Sequence, residues 1–244
     1  MLYAATTLWL LIAVFTAWSI HRSWCALVPP KVVNSLLLPG TLVDGVGHIV
    51  GLLLTGGTVN STTLMRDDRS DDEAPSRIPV IGPIVVAMLP VIACGACIYL
   101  AARFLGSDLV ARMSDTTLPQ TLPTTLGAFW DLLRHGITLV ESLTYVVRTS
   151  DPRQGSFWFF GYLMVCLTVR VGPLPGTIRG ATGAVLVLGP LATLIGTSTE
   201  VGRAALERGW PMLSFSMAVL FFLMLVTLIV RGGVGFVRLL VRSE

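Results

Sequence analysis

An uncharged apolar run, Leu213 to Val230, constrains this chain more than any other feature of its sequence. Crossing the hydrocarbon core of a bilayer takes a helix of about 20 apolar residues, and this run is of that kind. The whole chain is 53% hydrophobic and only 13% charged, whereas about 25% of the residues of a soluble domain are charged. That is too little charge to cover a water-exposed surface, so the sequence predicts an integral membrane protein.

The distribution of apolar segments predicts an all-α fold: a polytopic transmembrane helix bundle with about five or six spans plus an amphipathic interfacial helix. We expect one membrane domain over residues 1–244. The predicted spans are approximately 2–20, 32–57, 78–105, 156–171, 181–197 and 212–231, and the loop and amphipathic helix occupy 106–155. The count is five or six because segment 32–57, rich in glycine, either crosses the bilayer or enters and returns.

The charge balance excludes one class of partner. A net charge of +3, dispersed along the chain, is too weak for nucleic-acid binding. Three of the four cysteines lie in apolar segments, which argues against a disulfide framework. The expected partners are the lipid bilayer and other integral membrane subunits, and the expected location is a membrane, specifically the bacterial inner membrane.

Two polar side chains interrupt the second apolar segment. Asp44 and His48 are four positions apart, so on a helix they share one face. Polar groups inside a span are costly and point to function. One interpretation is a two-ligand metal site or proton relay; the other is a buried hydrogen-bonded pair. Gly47 and Gly51 form a small-x-x-x-small pair on the same segment, which predicts a close helix–helix contact.

The surrounding stretch, Leu38 to Gly57, resembles the zinc-motif helix of the site-2-protease-like intramembrane metalloproteases. In that family the helix carries H-E-x-x-H, in which two histidines bind zinc and the glutamate activates a water. Here Asp44 stands in place of the first histidine, Gly45 in place of the glutamate, and His48 in place of the second histidine. Glycine has no proton-transfer group, so the general base is absent.

A second stretch is similar to the same family more loosely. The aromatic-rich segment Phe157 to Val165 is followed by a Pro/Gly-rich segment, Pro173 to Gly180. In some relatives a Pro-Ser-x-x-Asp-x-x-Gly-like segment follows such a span, and its aspartate would complete the metal site. Thr177 falls on that aspartate. The resemblance covers roughly residues 32–57 and 156–195.

The resemblance implies a pseudoenzyme: a non-catalytic integral membrane protein that serves as a structural or accessory subunit of a larger membrane complex. No catalytic residue and no cofactor are then predicted, and Asp44, Gly45, His48 and Thr177 are vestigial positions. One alternative is an active intramembrane protease with atypical zinc ligands, the only hypothesis that needs zinc. The other is a small transporter or channel, because helices broken by proline and glycine are typical of such sites.

Overall fold

The computed structural model describes residues 2–57, 81–113, 116–121, 123, 125–151, 153–172 and 178–242. These residues form an all-helical bundle. Its helices are α1 (Leu2–Leu27), α2 (Pro30–Leu36), α3 (Leu38–Leu54), α4 (Ile81–Phe104), α5 (Ser107–Arg112), α6 (Leu126–Thr149), α7 (Gly155–Arg170), α8 (Ile178–Ser198) and α9 (Glu200–Arg242). The described residues contain no strand, so the predicted all-α class is confirmed for this part of the chain.

Three helices, α1, α4 and α9, are long and apolar enough to cross a membrane, and the bent pair α2–α3 would bring the number to four. These helices fit an integral membrane protein. By contrast, α7 has only 16 residues. At 1.5 Å per residue it is about 24 Å long, short of a hydrocarbon core of about 30 Å. The finer prediction of five or six spans requires that α7 and α8 also cross.

The last helix extends well beyond the predicted span 212–231. It is continuous over 43 residues, Glu200–Arg242, or about 65 Å. Its start is defined by Thr199, whose Oγ1 accepts from the Gly202 N–H at 3.1 Å, as an N-cap does. A polar stretch before Pro211 and glycines after Arg231 favour a shorter helix in the sequence. Both are nevertheless compatible with one long helix.

Side-chain contacts fix the relative directions of the long helices. Near the end of α1, the Trp24 indole N–H donates to Thr227 Oγ1 of α9 at 2.9 Å. Nearer the start of both helices, Trp9 and Trp210 donate to neighbouring carbonyls of one connecting segment. The helices α1 and α9 therefore run parallel. The main core lies between them and α4, α6 and α7.

The connecting segment is buried although it is not helical. Leu118 is 1% exposed. Its N–H donates to Ser214 Oγ at 3.0 Å, and its carbonyl accepts from the Trp210 indole at 2.9 Å. The next carbonyl, of Pro119, accepts from the Trp9 indole at 3.0 Å. Irregular backbone is tolerated inside a membrane protein only where other groups satisfy it, and here α1 and α9 supply them.

Candidate functional site

A sharp bend positions the segment that carries the predicted motif. The axes of α2 and α3 differ by 94°, with Leu37 between them. If α2 continued straight, position 39 would need an N–H to reach the Ser35 carbonyl, and Pro39 has none. Proline is instead tolerated in the first turn of α3, where the amide has no intrahelical acceptor. The chain thus enters the bundle through α2 and turns before Asp44.

The structure separates the two polar residues of the motif by burial. Asp44 is 6% exposed, and its Oδ2 atom has no contact with water. His48, one turn later, is half-buried. Gly45, the residue after Asp44, is also buried. The carboxyl group therefore lies inside the bundle, while the imidazole lies nearer its edge.

A buried arginine lies close to the same helix. Arg170, the last residue of α7, is 4% exposed. Its Nη2 atom donates to the side-chain Oδ1 of Asn34 in α2. Asn34 is itself buried, and the same Oδ1 atom lies 3.4 Å from Nε2 of His21 in α1. One arginine thus connects α7 to α2 and, through Asn34, to α1.

Asp44 and Arg170 are buried in the same compartment, where α3 packs on α7. Gly40 lies one turn before Asp44 on α3, and a Cβ added to it would lie 2.9 Å from Cγ of Arg170. In a low-dielectric interior a carboxylate and a guanidinium are tolerated only when opposite charge and hydrogen bonds accompany them. Arg170 supplies a positive charge in the compartment that holds Asp44.

Glycines allow α3 to approach its neighbours at this point. A Cβ added to Gly40 would overlap the Cys166 carbonyl and lie 2.9 Å from Cγ of Arg170. Further along α3, Gly47 and Gly51 face α4: a Cβ would lie 2.7 Å from Cα of Pro90 in the first case and 2.8 Å from Cα of Val86 in the second. The close contact on this face of α3 is therefore backbone against backbone, with no space for a side chain.

The donors near Asp44 do not fit a zinc centre. A catalytic zinc takes three protein ligands and a water. Among the described residues no group of three or more His, Cys, Asp or Glu could hold a metal ion. The guanidinium of Arg170 adds a positive charge to the buried compartment of Asp44, which disfavours a second cation there. We therefore derive no zinc chemistry from these residues.

Sequence reasoning identified Asp44 and His48 but gave no role to Arg170, Asn34 or His21. Arg170 carried a signal: it is the only charged residue between Phe157 and Val171, and a charge in an apolar segment is a functional hypothesis by default. No local pattern indicates that Asn34 would meet it, since the two are 136 positions apart.

The remaining motif position, Thr177, lies outside the described residues. Comparison with protein-family models, with curated proteins and with solved structures finds no match for this chain.

Proposed function

We propose that this chain is a non-catalytic integral membrane protein with the architecture of an intramembrane metalloprotease, and that it serves as a structural or accessory subunit of a membrane complex. The observation that carries the proposal is the substitution at the motif: Gly45 stands where the resemblance predicts the base, and the buried Arg170 places a positive charge in the compartment that holds Asp44. A guanidinium can neutralise a buried carboxylate, as a metal would, without providing a Lewis acid or an activated water.

We further propose five spans, α1, α4, α7, α8 and α9. Support comes from the direction of α8. In α8, Val185 packs with Val14 in the middle of α1, whereas Gly189, one turn later, packs on Thr7, nearer the start of α1. The helix α8 therefore runs antiparallel to α1.

The bent pair α2–α3 is then a re-entrant segment. Along α3, Gly47 and then Gly51 face Pro90 and then Val86, so α3 runs antiparallel to α4. The first turns of α4 contact the first half of α8 through Ile84, at the end of the bundle where α1 finishes. Thus α2 begins and α3 ends on the same side of the bundle. A segment as apolar as 32–57 can therefore enter the membrane without crossing it.

The helix α6 fits an interfacial position. Its buried side, Leu139, Leu143 and Val146, packs into the core. A second apolar strip beside it is exposed, and a polar strip follows around the helix. The exposed apolar residues are Phe129, Trp130, Leu133 and Ile137, and the exposed polar ones are Asp131, Arg134, Thr138 and Glu141. An apolar strip for acyl chains next to a polar strip for water is the pattern of a helix at the membrane surface.

Metal analysis of the purified protein, paired with a cleavage assay on membrane-embedded peptides, tests the non-catalytic assignment. We expect no stoichiometric zinc and no cleavage. Stoichiometric zinc in the unmodified protein, with cleavage abolished by His48→Ala, would show an active protease and refute the proposal.

The accessory role has its own test. After extraction in a mild detergent, we expect the chain to co-purify with at least one other integral membrane protein. The matched control is extraction in a harsh detergent, which should separate the chain from that other protein. A single monodisperse monomer under both conditions would contradict the accessory role while leaving the non-catalytic assignment intact.

A further inference from the structure

Three side chains next to the buried Arg170 contact one another in a row: Cys25, His21 and Asn34. Cys25 follows His21 by one turn of α1, and its Sγ lies 3.9 Å from Nδ1 and 3.8 Å from Nε2 of that imidazole. Nε2 in turn lies 3.4 Å from Oδ1 of Asn34, and the same oxygen accepts from Arg170. His21 and Asn34 are buried, whereas Cys25 is half-buried and so reachable.

Arg170 determines, through Asn34, which ring nitrogen of His21 carries the proton. A guanidinium only donates hydrogen bonds, so the Asn34 atom that faces it must be the carbonyl oxygen rather than the amide nitrogen. An oxygen facing Nε2 of His21 requires that Nε2 carry the proton. Nδ1 is then the basic nitrogen, and Sγ of Cys25 lies 3.9 Å from it and 3.8 Å from Nε2. An activated thiol has this arrangement: a nucleophile, a base that takes its proton, and a group that orients the base.

The residues around the thiol are those typical of a membrane boundary. Cys25 is in the last turns of α1, next to Trp24 and close to Arg22, whose guanidinium sits 5.3 Å over the Trp18 ring. Tryptophan and basic residues mark the interface of a span. Arg22 and Lys31 are both exposed. A molecule that inserts an acyl chain into the bilayer and carries phosphates outside would meet apolar surface and positive charge at this point.

We propose that Cys25 is an S-acylation site that accepts a long-chain acyl group from a phosphate-bearing thioester, of which acyl-coenzyme A is the type. Nδ1 of His21 takes the thiol proton as the Cys25 sulfur attacks the thioester carbonyl. The tetrahedral intermediate collapses, the carrier sulfur leaves, and His21 returns the proton to it. One thioester replaces another, so no oxidant or reductant is required. Asn34 is a positioning residue that holds the imidazole in the reactive tautomer.

The other thiols provide an internal comparison. Cys94 and Cys166 are buried. Cys97 is half-buried like Cys25, but it lies inside α4, away from the helix end. A difference in reactivity between Cys25 and Cys97 therefore measures the histidine and the boundary position rather than exposure alone.

The test incubates the full-length protein in phosphatidylcholine vesicles with palmitoyl-coenzyme A and follows the intact mass and the modified peptide over time. We expect one acyl adduct on Cys25, released by neutral hydroxylamine, absent in Cys25→Ser and retained in Cys97→Ser. His21→Ala should slow the reaction by about 100-fold, the usual contribution of a general base. Acetyl-coenzyme A should react more slowly, because it cannot use the bilayer.

Variants of Asn34 distinguish a role in positioning His21 from a role in folding. Asn34→Asp keeps an acceptor for both His21 and Arg170 and should preserve the rate, whereas Asn34→Leu should lose it. A second measurement needs no variant: in the unmodified protein, N-ethylmaleimide should alkylate Cys25 at least about 10-fold faster than Cys97. Equal rates at the two thiols, an adduct on Cys97, or an unchanged rate in His21→Ala would each overturn the proposal.

Discussion

The helices α3 and α9 use the same residue type in opposite surroundings. The glycines of α3 lie against the backbone of other helices, and a Cβ at Gly47 or Gly51 would meet Pro90 or Val86. The glycines in the last part of α9, Gly232, Gly233 and Gly235, have open space around them. Glycine in a membrane helix is therefore informative only once its neighbours are known.

The charged residues near α3 and those of α9 differ in the same way. Near α3, Arg170 is buried and hydrogen-bonded to another buried side chain, whereas Arg238 of α9 is exposed. The buried charged side chains Asp44 and Arg170 thus lie where α3 packs on α7. The last turns of α9 contribute surface. We expect substitutions near α3 to change the stability of the bundle and equivalent ones in that part of α9 to leave it nearly unchanged.

The largest effect is expected from Arg170→Met. Loss of the guanidinium leaves the Asp44 carboxylate in a buried compartment without this cation and removes the donor to Asn34. Breaking a buried charge arrangement on one side costs about 3–5 kcal/mol. The free energy of unfolding in detergent, measured for Arg170→Met beside the exposed control Arg238→Met, checks this.

A double variant sharpens the test. If Asp44 and Arg170 compensate each other, Asp44→Asn should recover part of the stability lost in Arg170→Met, and the two changes should not add. Additive losses, or equal losses for Arg170→Met and Arg238→Met, would mean that the buried charge of α7 is not coupled to α3.

The second effect concerns the contact between α3 and α4. In Gly47→Ala the new methyl group would lie 2.7 Å from Cα of Pro90, and backbone atoms cannot move aside as a side chain can. Overpacking costs about 1–3 kcal/mol, against a gain of about 1 kcal/mol in helix propensity. We expect a net loss, seen as a lower midpoint of thermal unfolding. An unchanged midpoint would show that α3 can shift away from α4.

The sequence alone was sufficient for the helical class and for the existence of long apolar helices, because hydrophobicity and length are properties of single segments. It also placed Asp44, His48, Gly47 and Gly51 on one helix. The bend at Leu37 was less accessible: Pro39 indicates a helix start, but no residue encodes the angle of 94° between α2 and α3, which depends on how α3 packs against α4 and α7.

The long-range polar contacts were inaccessible for a different reason. Asn34 and Arg170 are far apart in the chain, as are Leu118 and Trp210, and neither pair forms a local pattern. The burial of the segment around Leu118 was not expected either, since nothing in its proline- and threonine-rich composition indicates that two tryptophans would hydrogen-bond to it.

Those tryptophans provide the third prediction. Trp210→Phe removes the N–H that bonds the Leu118 carbonyl while keeping most of the apolar volume. Leaving a buried carbonyl without its donor costs about 1–3 kcal/mol, and here the Leu118 N–H remains bonded to Ser214, so we expect the lower half of that range. The matched control is Trp130→Phe on α6, whose side chain is 63% exposed. Equal stability of the two variants would argue against a structural role for the buried segment.

The smallest effect is expected at the open end of α9, and it has the opposite sign. At Gly233 a Cβ would contact nothing, so Gly233→Ala adds helix propensity without overpacking, a gain of about 0.5–1 kcal/mol. The same Gly→Ala change is therefore predicted to stabilise one helix and destabilise the other. Helix content by circular dichroism and the unfolding midpoint, measured for Gly233→Ala beside Gly47→Ala, check both signs. A loss at Gly233 comparable to that at Gly47 would mean that the last turns of α9 are covered in the assembled protein, which would itself indicate where a partner subunit binds.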